Sequence, residues 1–154
     1  MNELALEYQQ DFCEWLIHNA RLLQQGRFSE IDVQNLVEEL EDMSKSQHRE
    51  LLSRLKILFA HLLKWQYQPA SRSGSWRATI VEQRQQIEEL LETSPSLARQ
   101  IEIKLEKAYH SAVALASAET GLRESVFPST VPYTAEKALD NAFYPETVDE
   151  RGKA

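Results

Sequence analysis

The chain has 154 residues, 42% hydrophobic and 27% charged, with a net charge of −7 and one cysteine. That length suits one domain burying roughly 68–70% of the surface its unfolded chain would expose, which excludes disorder over most of it. A lone cysteine excludes an intrachain disulfide and a cysteine-based zinc site, and the acidic excess argues against a general binder of nucleic acid or anionic membranes.

The opening MNELALEYQQ lacks the basic and apolar regions of a secretory signal. The most apolar stretch, Leu51 to Leu63, is interrupted by Ser53, Arg54, Lys56 and His61, and falls short of the roughly 20 residues that span a bilayer. The expectation is a reduced, soluble, cytoplasmic protein.

Apolar residues recur at three- and four-residue steps almost throughout, the period of an amphipathic helix. In the first segment Leu4, Tyr8, Phe12, Trp15, Asn19 and Leu22 form one stripe, expected to end near Gly26. Cys13 is expected to pack there as a small apolar residue. Asp32 is placed to cap a second helix with the stripe Leu36, Leu40, Met43, Gln47, Leu51, Leu55, Leu58, Leu62 and Trp65. A single helix over that span would measure roughly 50 Å, against about 40 Å for the diameter of a compact domain of this size. A break or bend is therefore expected near Ser44–Gln47, since an unbroken helix would project and need a partner.

The stretch QPASRSG (68–74) reads as an interhelical loop. A third helix is expected from Ser75 or Trp76, carrying Trp76, Ile80, Ile87, Leu90 and Leu91. Ser94-Pro95 is an N-cap with proline at the first helical position, and a fourth stripe follows through Leu97, Ile101, Leu105, Ala108, Ala112, Leu115 and Ala116. Gly121 suits the left-handed position that closes such a helix. Thr134 is placed to cap a short fifth helix over 135–142. The fold expected is all-α: one helical bundle over residues 1–145, four main helices and a short C-terminal one, with a flexible tail over 146–154.

Charge is partitioned along the chain. Residues 1–43 carry two basic and ten acidic side chains, residues 44–85 eight basic and two acidic, and residues 86–154 seven basic and twelve acidic. A basic middle between acidic ends serves either as a surface for anions or as the internal counterpart of the ends.

Three constellations have chemical potential. Glu38, Glu41 and Asp42 share a helix face that could hold a divalent cation, or form a solvated face. No histidine has an acidic residue three positions before it, so the Glu-x-x-His pattern of di-iron bundles is missing. Glu7, Asp11, Glu14 and His18 form a second acidic line, which reads as an ordinary polar face. The third gathers His61, Lys64, Trp65, Tyr67, Arg72, Trp76, Arg77 and Arg84 around one loop. Arginines beside flat aromatic faces suit phosphate, carboxylate or nucleobase recognition. The competing reading makes the tryptophans core anchors and pairs the arginines with Glu38, Glu41 and Asp42. His61, on the most apolar helix, is either an acid–base group or a satisfied core histidine.

These residues also carry a resemblance. YQQDFCEWL (8–16), GRFSEIDVQNLVEELEDM (26–43), LLKWQYQPASRSGSWRATIVEQRQQI (62–87), SPSL (94–97) and ETGL…FP…PYT (119–134) follow in order. Together they resemble the bacterial domain-of-unknown-function family twenty-nine, over nearly the whole chain. The resemblance implies a small all-helical bacterial protein and carries no assigned reaction, cofactor or catalytic residue. Its motif residues here are Lys64, Trp65, Gln66, Tyr67, Pro69, Ser75, Trp76, Arg77, Ile80, Gln83 and Arg84.

Three functions compete. The first is a noncatalytic helical module binding a protein partner or itself. The second is an anion or nucleic-acid binding domain using the loop around residues 61–84. The weakest is a metal-dependent enzyme on Glu38, Glu41, Asp42 and His61. No cofactor, resident metal or membrane association is expected, and no catalytic residue is assigned.

Overall fold

A computed structural model describes residues 3–148. Among them the protein is all-α, with six helices and no strand: α1 (Glu3–Gln10), α2 (Phe12–Gln24), α3 (Val33–Tyr67), α4 (Gly74–Thr93), α5 (Ala98–Thr120) and α6 (Ala135–Leu139). The chain divides into two compact units, Met1–Ser46 and Gln47–Ala154.

The first unit holds α1, α2 and the first turns of α3. The single stripe expected for its opening helix is cut at Asp11, whose carboxylate accepts from the Glu14 amide and caps α2. α2 closes as expected at Gly26, where a φ of +70° lets Gly26 and Arg27 donate to Leu23 and Leu22 carbonyls. Leu4, Trp15 and Leu22 are buried, and Tyr8, Ile31 and Leu36 pack against them. Trp15 Nε1 donates to Asp32 Oδ2 at 3.0 Å, the Asp32 amide donates to Asn19 Oδ1 at 2.9 Å, and Asn19 Nδ2 donates to the Trp15 carbonyl at 2.8 Å. Asp32 also accepts from the Asn35 amide and side chain, and so is the expected cap of α3.

α3 corrects one expectation outright. It is one helix of 35 residues with no break at Ser44–Gln47. Polar side chains interrupt its apolar stripe there, but none is proline or glycine, so nothing in the backbone requires a break.

The second unit is built on the apolar half of α3. Leu51, Leu55, Leu58, Phe59, Leu62 and Leu63 are fully buried, together with Ile80 and Ile87 of α4 and Ala108, Ala112 and Ala116 of α5. Ser73 caps α4 by accepting from the Trp76 amide, one or two residues ahead of the expected start. Pro95 opens a short 3-10 turn leading into α5, and Ser94 makes no side-chain cap there. Gly121, at φ +76°, ends α5 with its amide on the Ser117 carbonyl. Thr134 caps α6, which stops at Leu139 instead of 142.

Phe59 lies against Tyr109 and stacks on Tyr133, with ring centroids 6.1 and 5.7 Å away. Tyr109 donates to the Pro128 carbonyl at 2.6 Å, tying down the irregular chain after α5. Burial pushes its phenol up to about 12. The tail expected to be flexible from Glu146 is anchored as far as Val148, which is buried and whose amide donates to the Gln66 carbonyl at 3.0 Å. Residues 149–154 lie outside the described residues.

Replacing Asp32 with Ala leaves the buried Trp15 Nε1–H without its acceptor and α3 without its cap. The expected cost is about 2–3 kcal/mol. Amide hydrogen exchange should show faster deuteration across residues 3–46 while the protection of α5 persists.

Candidate functional site

The eight residues expected around the 61–84 loop lie in the second unit, and Arg84, Arg72 and His61 turn their polar groups towards the protein's own backbone. Arg84 is 3% exposed. Its Nε donates to the Ala138 carbonyl at 2.8 Å, Nη2 to Phe143 at 2.7 Å and Nη1, more weakly, to Asn141 at 3.5 Å. These carbonyls lie at the end of α6 and in the irregular chain after it, where the neighbouring amides donate elsewhere. A planar fork of five N–H groups suits such a cluster where an ammonium would not. Burial lowers the guanidinium's pKa, and Tyr144, Asp140 and Tyr133 oppose that shift.

Arg72 does the same for the last described residues. Its Nε donates to the Trp65 carbonyl at 2.8 Å and Nη2 to Thr147 Oγ1 at 2.9 Å. Its guanidinium lies 4.7 Å from the Trp65 ring centroid. Trp65 leans on Tyr144 at 4.9 Å, and Tyr144 takes Arg84 and Arg77 against its ring at 5.4 and 5.6 Å. The result is a clasp of alternating cations and rings that holds residues 138–148 onto the α3–α4 hairpin. Arg77 is the exposed member.

Lys64 is also inward. Its ammonium lies 2.6 Å from Glu119 and 4.6 Å from the Trp76 ring centroid. Its side chain is only 8% exposed, so the Glu119 carboxylate is what makes the buried charge tolerable. Tyr67 packs edge-on against Phe127, and burial raises its phenol pKa. His61 is half-buried, with Nδ1 2.9 Å from the Ile57 carbonyl. Burial lowers its pKa and Lys64 adds to the effect, while the Ile57 carbonyl and Glu119 oppose it. The neutral ring donating to Ile57 is the form this setting favours. Gln83, another motif residue, accepts from Arg54 at 3.2 Å.

The acidic constellations do not converge. Among the described residues no group of three His, Cys, Asp or Glu side chains is placed to hold a metal ion. Asp11 caps α2 and Glu7 meets His18 Nδ1 at 3.0 Å. Within the first unit Arg27 pairs with Glu30, and no cation partner is described for Glu38, Glu41 or Asp42. Glu39 instead accepts from the Tyr8 hydroxyl, and that bond, with burial and the nearby carboxylates, pushes the phenol up to about 12.

Two features escaped the periodicity. A cleft of about 380 Å³ lies against α4, lined by Arg84, Ile87, Glu88, Leu91, Leu139 and Asn141 among others. More consequential is where apolar surface is left over. Phe12, Leu40 and Met43, read as core, are exposed by 46%, 65% and 64%. Cys13, expected to be packed, is exposed too. Ten of the thirteen exposed large hydrophobic residues fall in the first unit: Leu6, Phe12, Leu16, Ile17, Leu23, Phe28, Val33, Val37, Leu40 and Met43. The signal was present, because Phe12, Leu16 and Leu23 form a second stripe beside Trp15, Asn19 and Leu22, and one small core cannot take both.

The sequence profile described as a domain of unknown function, DUF29, matches residues 7–144. The match covers most of the chain and all eight clasp-region residues, and the chain belongs to that family. No curated protein and no solved structure matches it. No described helix is long and apolar enough to cross a membrane.

Two outcomes follow from the clasp. Arg84→Lys should destabilise the protein by about 2–3 kcal/mol in urea unfolding, because three donors on one nitrogen cannot span carbonyls that the guanidinium reaches from three. Arg77→Lys, at an exposed position, should change stability by no more than about 0.5 kcal/mol. The second outcome concerns His61. Its pKa is lower folded than unfolded, so the unfolded chain binds the proton more readily. The stability present above about pH 6.5 is therefore lost as pH falls through the folded value. His61→Gln should flatten that part of the profile.

Proposed function

We propose that this member of the family is a noncatalytic protein-interaction module, and that its docking surface is the first unit. One observation carries the reading: residues 3–46 bury three apolar side chains and leave ten large ones in water. Scattered exposed hydrophobics are ordinary, but their concentration on a small unit is characteristic of a surface completed by a partner. A unit of this length is also near the lower limit for a self-sufficient core.

The most regular part of that surface lies at the start of α3. Val33, Val37 and Leu40 recur at steps of four and three, which places them on one side of the helix. Leu36 adjoins that side and packs against the small core, and Glu39, further round, accepts from the Tyr8 hydroxyl. The second unit offers no comparable surface. Its large exposed hydrophobics are Val81, Ile103 and Val126, far apart in sequence. Its arginine and lysine donors in the motif region are mostly engaged internally, which weakens the anion-binding alternative.

The test is site-specific photocrosslinking in the source cells. A benzoylphenylalanine at position 40 should give discrete adducts, and one at position 103, equally exposed in the second unit, should not. Val37→Ser with Leu40→Ser should remove the neighbouring adduct at a crosslinker placed at 33, with stability changed by no more than about 0.5 kcal/mol. No adduct at any of the three positions would overturn the reading.

A further inference from the structure

We infer that the occupant of the Val33–Val37–Leu40 face is a cationic amphipathic helix of another protein, not a second copy of this chain; this rests on the interaction reading above. The argument is one of charge. Residues 1–46 carry three basic and ten acidic side chains, a net of −7, whereas residues 47–154 carry fourteen of each. The whole net charge of the protein therefore sits on the unit that exposes the apolar surface.

The charges lie to one side of that face. Glu41, four residues after Val37, borders it, and Glu38 and Asp42 lie further round the helix. All three are exposed, and no cation partner within the unit is described for them. Lys45 is the one basic residue of α3 in this unit. An apolar seam with carboxylates along one side is complementary to a helix with apolar residues at the same spacing and Lys or Arg beside them. From Val33 to Met43 the seam is about 15 Å long, or about three turns of a partner helix.

The same charge opposes the other occupants. Pairing two copies through this face would set −7 against −7, with acidic edges in register. A head-to-tail contact with the basic stretch of a second copy finds half of its eight cations already engaged: Lys64 by Glu119, Arg54 by Glu50, and Arg72 and Arg84 by carbonyl oxygens. An anionic bilayer would be repelled.

The probe is a synthetic peptide of about 18 residues, with Leu along one helical face and Lys along its borders. It is compared by titration calorimetry with the same peptide carrying Glu for Lys, against the full chain. The Lys peptide should bind and the Glu peptide should not. Two variants should each weaken binding by about tenfold: Val37→Ser with Leu40→Ser, which keeps the charge, and Glu38→Gln, Glu41→Gln and Asp42→Asn together, which keep the apolar seam. Circular dichroism checks that both variants remain folded. Raising salt from about 50 to about 500 mM should weaken the wild-type complex further.

Lys-peptide binding that survives the serine pair would mean general charge attraction and overturn the inference. So would a dimer in sedimentation velocity that Val37→Ser with Leu40→Ser dissolves, or retention on phosphatidylglycerol vesicles through the same residues. If the position-40 adduct forms while the Lys peptide fails to bind, the cationic partner is wrong and the interaction module stands. If no adduct forms at all, the module itself fails.

Discussion

A guanidinium buried among carbonyl oxygens is the constraint on which most of the second unit depends. The chain after α5 makes little regular structure, so its carbonyl groups are not all met by a helical ladder, and that of Ala138 is buried. Buried carbonyls without donors are costly. Arg84 supplies N–H groups to three carbonyls of this chain from a single rigid fork, and in doing so sets where α6 and residues 140–143 lie across α4. The rings and cations that follow, Tyr144, Trp65 and Arg72, extend the same clasp to Thr147, and the Val148 amide closes it on Gln66. Part of the motif that looks most like a ligand site thus fastens the C-terminal segment.

The two units solve the problem of burial in opposite ways. In the second, α3, α4 and α5 share a broad aliphatic and aromatic core, and charged side chains that enter it are matched, as Lys64 is by Glu119. The first has few buried apolar groups and depends on polar bonds that link Trp15, Asn19 and Asp32. Such bonds define one arrangement more than they supply free energy, since each replaces a bond to water. The apolar residues that remain outside are therefore surface in the isolated chain, and the proposed function takes them as surface with a purpose.

Much of this was legible in the sequence. The all-α class, the caps at Asp32 and Thr134, and the glycine at the end of α5 follow from rules acting over a few residues, and the structure keeps them. The run from Leu51 to Leu63 was identifiable as enclosed because apolar residues occupy most of its sides. The split at Asp11 and the unbroken α3 were not, for a related reason. Asp11 can either cap a helix or lie on its polar face, and polar residues inside a helix interrupt an apolar stripe without interrupting the backbone.

By itself the sequence determined most of where helices form, which of their sides are apolar, and that the clasp residues belong to one family pattern. Only the tertiary structure decided which apolar sides are covered. It left Phe12, Leu40 and Met43 in water and buried Trp15, although all lie on stripes of the same period. It also decided what the arginines hold, because the partners of Arg84 lie more than fifty residues away. Helical periodicity is set by bonds between residues four apart, and it records that a face is apolar. Coverage depends on which distant segments return to that face, and periodicity carries no information about that.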